Sequence, residues 1–267
     1  MKKILAILLA LIFTLSFAAC KKDETTDPEE TQDDDVYISS DGTERFTYEV
    51  NDDGTYAIKD YQSKSDALHE VTVPSVIDSI SVTAIADGAF KAKNNISSVV
   101  IPDSVTSIGA YAFYECYYLK SITLPDSIES IGNGAFRNCE NLESVTLSSS
   151  LKEIPAYLFY NCTSLKNINI PSSVKSIGEC SFWNCSAITG VEIPTSVTSI
   201  GNTAFYGCTS LEQITVPASV TEINEFIFSN CSDDLKIYGE AGSAIETYAE
   251  AHKYKFETIT NSDVPTV

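Results

Sequence analysis

Between Leu119 and Cys139 the apolar positions are Leu119, Ile122, Leu124, Ile128, Ile131, Ala135, Phe136 and Cys139, separated by Ser, Thr, Asp, Asn and Gly, and the series recurs every 23 residues. Phenylalanines keep that step at 90, 113, 136, 159, 182, 205 and 228, cysteines at 116, 139, 162, 185, 208 and 231, and isoleucines at 108, 131, 154, 177, 200 and 223. Prolines follow at 102, 125, 171, 194 and 217, with Ser148 in the missing place. Within one unit Ile122 and Leu124 alternate with Ser121 and Thr123, the period of a strand. Pro125, which has no N–H for a ladder, ends it. Ile131, Ala135 and Phe136 then predict a short helical or 3₁₀ turn, with Cys139 on the same face as Phe136. Asn138, Asn161, Asn184 and Gly207, which tolerate positive φ, stand before the cysteines and suit the end of such a turn.

One unit cannot bury its apolar side chains alone. Stacking units about 4.8 Å apart sets each residue type upon its own kind. The expected fold is an α/β solenoid of seven coils over residues 71–239, with parallel strands on one face, helical or 3₁₀ turns on the other, and Ile, Phe and Cys ladders inside. Solenoid ends expose strand edges and apolar ladders, so caps are expected at both. Phe46–Val50 and Thr55–Lys59 flank Asn51-Asp52-Asp53-Gly54 and read as a hairpin within an N-terminal cap, residues 36–70. Gly242-Ser243 precedes Ala244, Ile245, Tyr248 and Ala249, a short helix; a strand over 254–259 completes a C-terminal cap, residues 240–267.

The spacing Leu119, Ile122, Leu124 is that of a leucine-rich repeat strand. Copies such as Ile101-Pro102-Asp103-Ser104-Val105-Thr106-Ser107-Ile108-Gly109-Ala110-Tyr111-Ala112-Phe113 and Ile193-Pro194-Thr195-Ser196-Val197-Thr198-Ser199-Ile200-Gly201-Asn202-Thr203-Ala204-Phe205 resemble the 23-residue leucine-rich repeats of BspA-like bacterial surface proteins. Departures are local: Pro155 and Asn224 replace the Gly after Ile, Lys93 replaces the first Cys, and five extra residues lie between Pro74 and Pro102. The resemblance implies adhesion to host or neighbouring-cell proteins.

The N-terminus sets the expected address. Lys2 and Lys3 precede an apolar run from Ile4 to Phe17, too short for a membrane-spanning helix, so residues 1–19 read as a secretory signal peptide. Phe17-Ala18-Ala19-Cys20 resembles a lipobox, which makes Cys20 the lipidation site; the alternative is an ordinary cleavable signal followed by an incidental cysteine. Residues 20–35 are acidic and almost free of apolar side chains, an extended disordered tether. The expected product is an exported bacterial surface protein, lipid-anchored to the membrane.

Charge narrows the partners. The chain carries 37 Asp and Glu against 17 Lys and Arg, a net charge of −20, which argues against nucleic acid. Two histidines, His69 and His252, leave little for a metal site or a His-based acid–base mechanism, and no C-x-x-C occurs. No nucleophile elbow, P-loop or dinucleotide fingerprint is present, so a binding protein is expected rather than an enzyme, with no cofactor and no metal.

Three sets of residues carry the remaining expectations. Cys116, Cys139, Cys162, Cys185, Cys208 and Cys231 read as a structural ladder of free buried thiols, because parallel Cβ vectors disfavour disulfide geometry; disulfides are the alternative for an exported chain. Cys180, outside the ladder, has no assigned role. Tyr114, Tyr160, Trp183 and Tyr206 form a convex aromatic stripe, either mutually stacked cladding or a contact surface. On the strand face Ser121, Thr123, Ser144, Thr146, Asn167, Asn169, Glu192, Gln213 and Thr215 point outward, either solvated or a surface for an extracellular protein or glycan ligand. The expected function is adhesion or protein–protein interaction through the repeat surface; the alternative is capture of glycans or peptides for uptake or envelope organisation.

Overall fold

In the computed structural model the described residues are 35–259. The expected signal peptide, lipidation site at Cys20 and tether before Asp35 lie outside them. Among the described residues no helix is long and apolar enough to cross a membrane.

The chain opens with an antiparallel meander of β1 (Val36–Ile38), β2 (Glu44–Val50) and β3 (Tyr56–Ser63). β4 (His69–Thr72) and β5 (Val76–Ile77) follow, and then β6 (Ile80–Ile85). From here the chain coils as a parallel β-solenoid. Its strand face carries His69–Thr72, Ile96–Val100, Ser121–Thr123, Ser144–Thr146 and Asn167–Ile168 in one sheet. Gly190–Glu192, Gln213–Thr215, Lys236–Gly239 and Lys255–Thr258 form a second sheet. Nine strands therefore line this face against the seven expected coils. The additions are Lys236–Gly239 and Lys255–Thr258, which follow the last Phe and Cys of the repeat and still pair in parallel.

The isoleucines expected in a helical turn lie instead on a second set of parallel strands. Ile85, Ile108 and Ile131 align in one sheet, and Ile154, Ile177, Ile200 and Ile223 in another. The break between Ile131 and Ile154 has a covalent cause. Gly109, Gly132, Gly178 and Gly201 each donate a backbone N–H to the Ile carbonyl one coil back, at 2.7–2.8 Å, whereas Pro155 has no N–H to give. At Asn224 the side-chain Nδ2 bonds the Ile200 carbonyl, at 3.1 Å.

The segment before each Phe is not helical either. Phe113 N–H bonds the Ala135 carbonyl of the next coil at 2.8 Å, and Tyr111 and Glu115 likewise donate to Asn133 and Arg137. Alternate residues close i+3 turns, as Cys116 N–H does to Phe113 O. Half the N–H groups a helix would need thus point at the neighbouring coil, which requires positive φ at regular places: Tyr111, Tyr157 and Cys180 before the phenylalanines, Asn138, Asn161, Asn184 and Gly207 before the cysteines. The α/β expectation gives way to a β-solenoid with one helix, α1 (Ala244–His252), started by Ser243 and ended by Lys253 in the left-handed region.

The core is one column of ladders. Phe90, Phe113, Phe136, Phe159, Phe182, Phe205 and Phe228 are fully buried and stack with centroids 4.9–5.9 Å apart. Tyr61 of β3 continues the stack at one end, 5.3 Å from Phe90. Tyr248 and Tyr254 close it edge-on at the other, each 6.0 Å from Phe228.

Coil spacing also explains the glycine after Ile. A Cβ on Gly132 would sit 2.3 Å from Ala110 N and 2.6 Å from its Cα, backbone atoms that cannot give way without opening the stack. Gly132→Ala is expected to cost about 1–3 kcal/mol, read as a lower urea midpoint. An unchanged midpoint would show that coil spacing is not tight there.

Candidate functional site

The thiol ladder is a set of hydrogen-bond donors. Each cysteine Sγ donates to the carbonyl of the Phe 26 residues back: Cys116 to Phe90 at 3.0 Å, Cys139 to Phe113, Cys162 to Phe136, Cys185 to Phe159 and Cys231 to Phe205 at 3.1 Å, and Cys208 to Phe182 at 3.2 Å. The same carbonyl accepts the i+3 backbone N–H, so both its lone pairs are used. All seven described cysteines are free. At the last coil the place of a further thiol is taken by Tyr254, again 26 residues on, whose hydroxyl bonds Phe228 O at 2.9 Å. Cys180 lies apart, half-buried, with Sγ 3.0 Å from Thr203 Oγ1.

Burial raises the thiol pKa values: Cys116 is pushed up to about 12, and Cys139, Cys162 and Cys185 lie well above the ordinary value of 9.0. Cys208 is raised first by the hydrogen bond with the Cys231 thiol and then by burial. These groups pack and donate; nothing prepares them as nucleophiles.

The aromatic stripe is a continuous stack along the turn side. Lys91 Nζ lies 5.3 Å from the Tyr114 ring centre, and the Arg137 guanidinium 5.9 Å from it and 4.6 Å from that of Tyr160. Tyr160 stacks on Trp183 at 5.8 Å and Trp183 on Tyr206 at 3.8 Å. Tyr114, Tyr160, Trp183 and Tyr206 are all half-buried. Ring faces in this row are covered by their neighbours, leaving edges and hydroxyls outward.

On the strand face Ser121, Thr123, Ser144, Thr146, Asn167, Asn169 and Glu192 are exposed and Gln213 is half-buried. Register places Ser144 between Ser121 and Asn167, and Thr123 beside Thr146. Thr215, expected to point out, is only 6% exposed. Its register partner is Tyr238, so an aromatic side chain stands next to it on the same face. A hollow of about 410 Å³ opens on this face, lined among others by Glu70, Ser98, Val100, Asp103, Ser121 and Thr123. Val100 is 44% exposed within it. Sequence alternation within one strand could not reveal that hollow, because its walls come from three neighbouring strands, around residues 70, 98–100 and 121–123.

Comparison with known proteins agrees with the repeat. A family model described as BspA type leucine rich repeat region, in six copies, matches residues 83–193 and 175–262. No curated protein matches the chain. Among solved structures it is similar to a T. pallidum leucine rich repeat protein, at 24% identity over 79% of this chain and 95% of that one, with a TM-score of 0.49. It is also similar to a leucine rich cell surface protein from Faecalibacterium prausnitzii, at 25% identity over 76% of this chain and 75% of that one, TM-score 0.47. A leucine-rich repeat protein from Bacteroides ovatus gives 23% identity over 80% and 75%, TM-score 0.40.

The ladder predicts its own pH dependence. Thiols whose folded values are raised by burial add stability that is whole below about pH 9 and is lost as pH climbs toward 12. Each removes up to about 1.4 kcal/mol per pH unit in that window. The thermal midpoint is expected to fall steeply above pH 9, less steeply in Cys162→Ala. Site-resolved alkylation at pH 8 should label Cys180 first, and Cys139, Cys162 and Cys185 only after unfolding. Equal labelling in the native state would contradict the buried ladder.

Proposed function

The chain belongs to the BspA-type leucine-rich repeat family, and on that premise we propose that it is a cell-surface binding module that engages an extracellular partner through its strand face, as an adhesin or protein–protein interaction scaffold. One observation carries the reading: an open row of Ser, Thr and Asn side chains, held in register over successive coils on a backbone that the ladders make rigid. Tyr160, Trp183 and Tyr206 serve as cladding, because their ring faces are spent on one another and on Arg137.

In this reading residues 1–19 direct export, Cys20 carries lipid, and residues 20–35 hold the body off the membrane. Residues 36–70 and 240–267 act as caps around the repeat of residues 71–239. The caps are supported by the way Tyr61 extends the Phe stack and Tyr254 supplies the last missing donor. No catalytic role is assigned to any residue. The second reading, capture of a short glycan or peptide, draws on the hollow above Ser98, Ser121 and Thr123.

Binding to a panel of extracellular-matrix proteins and glycans tests the assignment. Alanine at Thr123, Thr146, Asn169 and Glu192 together is expected to weaken the partner found by at least about tenfold, roughly 1.4 kcal/mol. Alanine at Tyr160 and Trp183 should lower stability while leaving affinity per folded molecule unchanged; the reverse pattern would move the interface to the stripe. For the anchor, Cys20→Ser is expected to abolish fatty-acid labelling and shift the protein from the detergent to the aqueous phase. Retained label would end the lipoprotein assignment.

A further inference from the structure

At the N-terminal end of the turn side the stacked stripe gives way to a groove of about 430 Å³, lined by Asp87, Gly88, Lys91, Ala110, Tyr111, Tyr114 and Arg137. Its shape follows from two adjacent columns of the repeat. In one, Tyr111 stands between Gly88 and Gly134, one coil to either side. The ring leans over Gly134, where a built Cβ would meet it at 2.7 Å. Above Gly88 the space is free, a built Cβ finding nothing nearer than Lys91 Cβ at 3.9 Å. One face of Tyr111 therefore covers peptide and the other looks into the groove, and Tyr111 is 41% exposed. Tyr114 stands perpendicular to it, with ring centres 5.8 Å apart.

The second column supplies charge. Lys91 and Arg137 flank Tyr114 from the coils before and after it, so their separation follows two coil spacings, about 10 Å. Residues 35–259 hold 29 acidic and 13 basic side chains, yet among the described residues neither cation has a carboxylate within salt-bridge distance. Arg137 Nε is buried with no hydrogen-bond partner. Asp87 is fixed at the rim, its Oδ1 accepting the Ala110 N–H at 2.6 Å, which leaves the other oxygen as an acceptor.

We propose that this groove is a subsite for an acidic glycan, taking a hexuronate residue with its pyranose ring on the free face of Tyr111. The sugar carboxylate is met by Lys91, a ring hydroxyl donates to Asp87, and a second acidic residue along the chain reaches Arg137. An aromatic face beside a cation and an acceptor suits a carboxylated sugar, which offers C–H bonds, a charge and hydroxyls together. A neutral sugar would leave both cations unmet, and an acidic peptide would make no use of the ring face. The net negative charge of the body opposes a polyanion only over about one Debye length, roughly 8 Å at physiological salt. The inference deepens the binding role proposed above but uses the side of the solenoid away from the strand face.

The test is calorimetric titration of the whole protein with a galacturonate tetrasaccharide, its fully methyl-esterified form, and hexaglutamate. Each variant borrows a residue that another coil already carries at the same position, so the fold is kept: Lys91→Ser from Ser229, Arg137→Tyr from Tyr160, and Tyr111→Thr from Thr203, which shares its positive φ of 52–56°. The acid form should bind, and more weakly as salt is raised. The ester, Lys91→Ser and Arg137→Tyr should each lose at least about tenfold in affinity, the effect of removing one charge-assisted contact, and Tyr111→Thr a similar factor through loss of the ring face under the sugar. Lys152→Gln, an exposed lysine elsewhere, should bind like the parent.

Three results overturn the proposal: no binding of the tetrasaccharide, equal binding of acid and ester, or an equal loss in Lys152→Gln. Hexaglutamate binding as tightly as the sugar would overturn it too, since the groove would then read charge alone. None of these outcomes touches the strand-face residues, so the subsite can fail while protein binding stands.

Discussion

Everything in this fold depends on each coil lying one strand spacing from the next on all its sides at once. The strand face meets that constraint with ordinary parallel ladders, and the Ile strands with bonds from the following Gly N–H. The Phe turns meet it by sending alternate N–H groups to the neighbouring coil. A helix there would keep its N–H groups to itself and take a wider footprint than the coil step permits. Glycine after Ile, positive φ before Phe and before Cys, and the small thiol are all consequences of that one spacing.

The thiols show how side chain and backbone share the load. A Phe carbonyl facing the core is out of reach of water, and one backbone bond leaves a lone pair unmet. A cysteine one coil on places a weak donor there while its sulfur packs like a small hydrophobe. A serine would donate more strongly but bring extra unmet acceptor capacity into an apolar core. At the last coil the donor becomes the Tyr254 hydroxyl, which also turns its ring edge-on to the final Phe. One residue thus satisfies the last carbonyl and covers the end of the stack.

Much of this was legible in the sequence because the period of 23 residues enforces like-on-like packing, which made the Phe, Ile and Cys ladders and the outward Ser and Thr positions readable from spacing alone. The helical reading of the Ile and Phe segments failed for a definite reason. A two-residue strand such as Ser130–Ile131 has no room to show alternation, and its partner lies 23 residues away. Thr215 misled because outwardness was inferred from its own strand, whereas its burial accompanies Tyr238 in the next. The groove at Tyr111 was also unreadable by period, since it arises where the repeat lapses: Gly in place of a side chain at 88, and Lys and Arg interrupting a row of rings at 91 and 137.

That contrast bears on how a repetitive scaffold acquires selectivity. A row of near-identical coils presents near-identical chemistry, and the strand face accordingly offers area and register more than a unique contact. Distinctive chemistry has to come from positions that break the repeat without disturbing coil spacing. On the turn side those are outer positions whose side chains face solvent, so Gly, Tyr, Cys, Thr and Phe all occupy the Tyr111 column at similar positive φ. Substitution there leaves the ladders intact, whereas at Gly132 or Cys162 it would act on every neighbouring coil. The ladders thus hold the stack constant, and the outer columns can change from coil to coil without moving it.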